Sequence, residues 1–257
     1  MRLFDTHCHF DFDVFADDFA CQLKLAKAQG VERIMIPSIG PSNWDKLLAM
    51  STEHAGIYTA LGMHPYFLTD NSVYHLNDLQ KQTEAHFNHF RAIGECGLDA
   101  MVDVDHDIQG KVFNAQIALA NDLQLPLILH SRKTHNEVLQ LLKKHKFAFG
   151  GVLHGFSGSY QQAMQFIELG FYIGIGGVIT YPRARKTRQT AANLPLEWIV
   201  LETDAPDMPL MGYQGNPNHP AMLSQVLSCL ALLRDTDERS VAQMTWKNAN
   251  LVFKVCE

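Results

Sequence analysis

The sequence predicts an α/β chain of the (β/α)8, or TIM-barrel, class. Short apolar runs rich in β-branched residues alternate about eight times with longer stretches of helical period. No Gly-x-Gly-x-x-Gly follows the first apolar run, which removes the main cue for the competing doubly wound open sheet. The length of 257 residues suits one barrel. No internal repeat, low-complexity segment or linker divides the chain, so residues 1–257 are expected to form one domain.

Leu3-Phe4 opens the first strand. Residues 13–29 then place Phe15, Phe19, Leu23 and Ala26 at three- and four-residue spacing, and Gly30 ends that helix. Arg33 to Ser38 reads as a strand, Asn43 to His54 as a helix and Ile57 to Gly62 as the third strand, running into Met63-His64-Pro65. Val73 to Phe90 is mostly helical, and Arg91 to Glu95 forms the fourth strand. A helix over Ile108 to Leu123 precedes the strand Pro126 to His130; a helix over Asn136 to His145 precedes the strand Gly151 to His154. Tyr160 to Leu169 is helical, Phe171 to Ile175 is the seventh strand and Trp198 to Asp204 the eighth. Two helices, about Ala221 to Arg234 and Glu238 to Asn250, close the chain.

Composition narrows the function classes. A formal charge of -6 argues against holding nucleic acid by bulk electrostatics, although bound divalent ions would supply positive charge locally to a phosphodiester hydrolase. There is no 18-residue apolar span and no charged leader before an apolar run, so no membrane association is expected. Five cysteines, odd in number and without a Cys-x-x-Cys pair, fit a reduced, cytoplasmic protein. No obligate protein partner is evident.

The chemistry gathers where polar residues interrupt the apolar strands. Asp5, His7 and His9 follow the first strand, and period-two alternation would point all three to one side. His64 follows the third strand, Glu95 ends the fourth, His130 the fifth, His154 the sixth and Asp204 the eighth. Each alone has a structural reading, as a hydrogen-bonded strand-end histidine or a turn carboxylate. In a barrel, however, the C-terminal strand ends converge on one face, and seven such residues on one rim, His7, His9, His64, Glu95, His130, His154 and Asp204, point to a divalent-metal site.

The blocks Asp5-Thr6-His7-Cys8-His9, Gly62-Met63-His64-Pro65, Gly94-Glu95-Cys96-Gly97-Leu98-Asp99, Leu129-His130-Ser131, His154-Gly155-Phe156-Ser157-Gly158 and Leu201-Glu202-Thr203-Asp204-Ala205-Pro206 together resemble the TatD family of metal-dependent hydrolases and DNases. The resemblance runs from residue 3 to about 253, with the blocks in family order. Two departures stand out. Asn216-Pro217-Asn218-His219-Pro220 replaces a more basic stretch, and Cys8 and Cys96 occupy positions where other small residues are also usual.

The resemblance implies two divalent ions, zinc, manganese or magnesium. His7 and His9 would bind one, with Glu95 and Asp204 completing its shell, and Glu95 would bridge to a second held by His130 and His154. A carboxylate has two oxygens and can span two cations, and a metal pair about 3.5–4 Å apart can activate water and stabilise the leaving oxygen of a phosphodiester. Glu95 and Asp204 are therefore the expected catalytic carboxylates, with Asp204 as general base. His64 is expected to contact a substrate phosphate or leaving group, with a structural hydrogen bond as the alternative. Asp5 either orients a ligand histidine, the favoured reading, or satisfies backbone donors. Glu202 either bonds a ligand or forms a structural ion pair.

The cationic stretch Tyr181 to Arg188 follows the seventh strand and so starts on the catalytic face. Arg183 and Arg185 are its candidate substrate contacts, against the alternative of a solvated helix start. The resulting expectation is a phosphodiesterase, acting on DNA or another phosphodiester. Its rivals are an amidohydrolase or lactonase with the same metal centre, and a metal-holding barrel without catalysis.

Overall fold

The computed structural model describes residues 1–256. Eight parallel strands lie in sequence order around one sheet: β1 (Leu3–Asp5), β2 (Val31–Pro37), β3 (Ile57–Leu61), β4 (Ala92–Asp99), β5 (Leu127–Arg132), β6 (Gly151–Leu153), β7 (Phe171–Ile175) and β8 (Ile199–Leu201). Helices α1 (Phe19–Ala28), α2 (Trp44–Glu53), α3 (Leu76–Ala85), α4 (His106–Leu123), α5 (His135–Lys144), α6 (Tyr160–Ile167) and α7 (Arg185–Asn193) follow the first seven strands in turn. Both α8 (Leu223–Leu233) and α9 (Glu238–Val252) follow β8. This is the (β/α)8 barrel that the alternation predicts.

The seam between β8 and β1 is closed by single hydrogen bonds rather than a ladder. The Thr6 N–H and hydroxyl both donate to the Leu201 carbonyl at 3.0 Å, and the Asp204 N–H donates to the His7 carbonyl at 2.9 Å. Asp5 crosses the same seam, accepting from the Thr203 hydroxyl at 2.6 Å and the Thr203 N–H at 3.0 Å.

Alternation along the strands divides the core. Phe4, Met35, Ala60, Ala92, Ile128, Val152 and Val200, one from each of seven strands, pack with Trp246, Ala249, Val252 and Phe253 of the C-terminal segment. Arg2 and Arg33, near the starts of β1 and β2, lie over the Trp246 ring at 4.8 and 4.7 Å, so α9 covers the N-terminal end of the barrel. The C-terminal end is left open for chemistry. The intervening strand positions pack outward against the helices. Burial of a side chain such as Phe4 contributes about 1.5–3 kcal/mol, which explains why the pattern is strict.

Several boundaries depart from the sequence expectation for local reasons. The expected helix over 13–29 breaks into a 3-10 turn, Asp13–Phe15, and then α1. Asp18, at φ 57°, turns the chain, and its carboxylate caps the helix by accepting from the Cys21 N–H. Likewise Ser72–His75 is a 3-10 turn before α3. The fourth strand does not end at Glu95 but runs on to Asp99, and β5 runs to Arg132. Gly97 makes this extension possible, because a Cβ there would lie 1.9 Å from the carbonyl oxygen of its β5 partner His130. At the eighth strand the opposite happens: pairing stops at Leu201, and Asp204, at φ 56°, sits in the loop.

Candidate metal centre

Glu95 is fully buried at the centre of the C-terminal face, and its two oxygens face different sets of histidines. Oε2 lies 3.1 Å from His7 Nε2 and 3.5 Å from His9 Nε2. Oε1 lies 2.8 Å from His154 Nε2, 3.1 Å from His130 Nδ1 and 3.1 Å from His64 Nε2. Asp204 stands on the Oε2 side, its Oδ1 3.5 Å from His7 Nε2 and 3.9 Å from His9 Nε2. The φ of 56° aims the Asp204 carboxylate at the centre from beyond the end of β8. A cavity of about 380 Å³ opens above these groups, lined also by Phe12, Tyr66, Phe67, Asp99, Arg132 and Asp207.

A surrounding layer of hydrogen bonds sets the rings. His130 bonds Asp99 Oδ2 through Nε2 at 3.0 Å, leaving Nδ1 to face Glu95. Glu202 Oε1 accepts from the Gly155 N–H at 2.6 Å and lies 3.9 Å from His154 Nδ1. Gly174 gives Glu202 its space, since a Cβ there would lie 2.2 Å from Oε2. The Tyr66 N–H donates to His64 Nδ1 at 3.0 Å, so the neutral ring carries its proton on Nε2. That makes His64 a hydrogen-bond donor toward the cavity rather than a cation ligand, although its ring lies close enough to group with Glu95 and His130.

Electrostatics favour a cation here. Burial pulls His7 well below the usual histidine range, reinforced by His154, whose ring stacks on it at 3.8 Å. Burial acts the same way on His154, but the charge of Glu95 and its hydrogen bond, with Asp204 and Glu202 nearby, outweigh it and push His154 up to about 10. Burial also raises Asp204, and it lifts Glu202 to about 7. Burial holds His64 low and neutral. The carboxylates that favour an imidazolium at His154 would equally favour a bound cation.

Whether the residues fit metal ions is tested by the polar atoms left over. Among the described residues, eleven buried side-chain nitrogens and oxygens have no hydrogen-bond partner, and six of them belong to this group of residues: His7 Nδ1 and Nε2, His9 Nδ1, Glu95 Oε2, His154 Nδ1 and Glu202 Oε2. Of these, His7 Nε2 and Glu95 Oε2 face the centre. Each such atom costs about 1–3 kcal/mol if nothing satisfies it. Imidazole nitrogens mixed with carboxylate oxygens are a donor set for first-row divalent cations. The fit is good.

The structure brings His7, His9, His64, Glu95, His130, His154 and Asp204 into one cluster. Asp5 is not in it: besides Thr203, it accepts from the His7 backbone N–H at 3.3 Å, so it serves backbone donors at the seam and orients no ligand ring. The reason is that β1 ends at Asp5, and the chain bends before His7, so the period-two argument stops short. Arg183 lies over the Tyr181 ring at 5.3 Å and Arg185 begins α7; neither lines the cavity above Glu95. Asp99 had no assigned role in the sequence, though it stands in the same block as Glu95.

Comparison with known proteins identifies the family. The profile of the family described as TatD related DNase matches residues 4–254. The chain belongs to the TatD family. It is a metal-dependent hydrolase of that family, and its relatives carry the same broad description. It is 44% identical to the uncharacterized metal-dependent hydrolase YjjV of Escherichia coli K12, over 99% of this chain and 98% of that protein. It is 36% identical to an uncharacterized metal-dependent hydrolase of Haemophilus influenzae, over 98% of this chain and 100% of that one. The crystal structure of E. coli YjjV superposes with a TM-score of 0.94 at 42% identity, covering 99% of both chains. A TatD family hydrolase from Entamoeba histolytica, at 18% identity and a TM-score of 0.87 over 100% of this chain and 99% of that one, shares the fold.

Proposed function

We propose that this TatD-family hydrolase is a two-ion phosphodiesterase acting on DNA, from a free end of a single strand. One observation carries the reading: the two oxygens of Glu95 are divided between two sets of imidazoles, as a carboxylate bridging two cations requires. His7, His9, Asp204 and Glu95 Oε2 would hold one ion; His130, His154 and Glu95 Oε1 would hold the other. Bound there, a pair of zinc, manganese or magnesium ions would supply the positive charge that acidifies water and stabilises a leaving oxygen.

The chain's own groups do the rest. Asp204, raised by burial and facing the open cavity, takes the proton from the attacking water. His64, with Nε2–H directed inward and its ring held by the Tyr66 N–H, donates to a phosphate oxygen or the leaving group. Asp99 holds His130 in place through its hydrogen bond, and the Glu202 carboxylate lies 3.9 Å from His154 Nδ1. With all five cysteines free and no described helix long and apolar enough to cross a membrane, we place this single-domain enzyme in the reducing cytoplasm.

The test is hydrolysis of an end-labelled single-stranded oligonucleotide by protein reconstituted with magnesium, manganese or zinc. The expected result is a ladder from one end, reduced at least about 100-fold in Asp204→Ala, as expected for loss of a general base. No cleavage with any of the three metals would defeat the reading and move the activity to a small carbonyl ester, lactone or amide. Turnover of any substrate that Asp204→Ala abolishes would dismiss a non-catalytic barrel.

A further inference from the structure

The cavity above Glu95 does not end at the ion cluster. Arg132, at the end of β5, lines it and also lines a larger hollow of about 630 Å³ over the start of α5. Lys186 lines that second hollow and a third of about 590 Å³, bounded by Tyr160 and Gln189. Arg132 and Lys186 thus each line two neighbouring hollows, and the three hollows follow one another, as a trough, from the catalytic centre past the loops after β5 and β6 to α7.

The trough carries unneutralised positive charge. Arg132, Lys133 and Lys186 are exposed along it. Among the described residues, the only lysine or arginine in an ion pair is Lys81, with Asp78, so none of these three cations is paired. Glu137, the one carboxylate lining the two outer hollows, is engaged by His106 at 2.7 Å, whereas Arg132 shares the inner cavity with Asp99 and Asp207. In a chain of net charge -6, three free cations in a hollow that leads to the reacting centre mark the path of an anion. The same cavity is also lined by aromatic side chains: Tyr66 and Phe67 are 61% and 45% exposed there. Aromatic faces of this kind stack unpaired bases, which a duplex does not offer.

We propose that the trough is a subsite for the phosphates of a single-stranded polynucleotide beyond the scissile one, gripped by Arg132, Lys133 and Lys186, with a base next to the scissile bond held by Tyr66 and Phe67. Of the cationic stretch before and within α7, Lys186 is then the substrate contact. The inference rests on the phosphodiesterase reading and deepens it.

The experiment compares metal-reconstituted full-length protein on di-, tetra- and hexathymidylate and on bis(p-nitrophenyl) phosphate. The native enzyme is expected to gain about tenfold in kcat/KM from two to four nucleotides, as further phosphates engage the trough. Lys133→Ala combined with Lys186→Ala loses that gain through KM rather than kcat, at unchanged metal content. Its log–log dependence of KM on salt falls by about 1.4, because two phosphates of a single strand are no longer neutralised by the protein. Arg239→Ala, at the opposite end of the barrel, keeps the length dependence. If the small diester is cleaved but length has no effect, or the double variant keeps its length dependence, the trough is overturned and the phosphodiesterase reading stands. Failure to cleave any of the phosphodiesters overturns both.

Discussion

Asp99 and His130 are joined by a 3.0 Å hydrogen bond from imidazole Nε2 to carboxylate Oδ2, so the only ring nitrogen His130 presents to Glu95 is Nδ1. This pairing fixes both tautomer and ring plane. Asp99→Ala is therefore expected to weaken binding at the His130 side by about 10–100-fold while the fold stays intact. Titration of the apo-variant with zinc or manganese, followed calorimetrically, measures it. Native affinity in the variant would show that His130 is positioned by its strand alone.

The division of Glu95 between two histidine sets predicts separable ions. His130→Ala combined with His154→Ala should lose one ion per chain and keep the other, read by elemental analysis after reconstitution. Unchanged stoichiometry would refute the assignment of these two histidines to the second ion.

Asp5 makes a stability prediction rather than a catalytic one. Removing its carboxylate in Asp5→Ala leaves the buried N–H groups of Thr203 and His7 without acceptors. The cost is about 2–6 kcal/mol, given about 1–3 kcal/mol for each of the two unsatisfied buried groups. Asp5→Asn, which keeps an acceptor oxygen, should cost less. Urea denaturation of the two variants separates them, and equal stabilities would remove Asp5 from the seam.

Gly174 and Glu202 are coupled by space. A methyl group at 174 meets Oε2 at 2.2 Å, so Gly174→Ala must push Glu202 away from the Gly155 N–H and from His154. The expected outcome is a loss of about 1–3 kcal/mol in stability, with weaker ion binding. Denaturation and metal titration on the same preparation check both. A variant indistinguishable from native in each would mean that the Glu202 pocket yields without consequence.

Much of the fold is legible in the sequence alone. Strand and helix periodicity reports burial directly, so the eight-fold alternation and the barrel class can be read from local patterns of Leu, Ile and Val. The seven polar residues that interrupt apolar strands are visible for the same reason: a histidine or carboxylate ending a buried run needs a chemical justification. The helix ends are less legible, because Asp18 acts through a left-handed backbone conformation that apolar spacing does not register.

What only the tertiary structure decided depends on contacts between residues far apart in the chain. Asp99 meets His130 because β4 continues past Glu95 in register with β5, a continuation that Gly97 permits by letting the His130 carbonyl come close. Asp5 turned from the metal centre to Thr203 because the β8–β1 seam, 198 positions apart in sequence, needed acceptors. Among several similar cations, Lys186 rather than Arg183 lines the trough, since the turn into α7 sets which side chains face the loops after β5 and β6. By itself the sequence determined which elements form and which chemistry is available, because burial and residue type are local properties. Orientation within the site was decided by strand register and barrel closure, which exist only once distant segments have met.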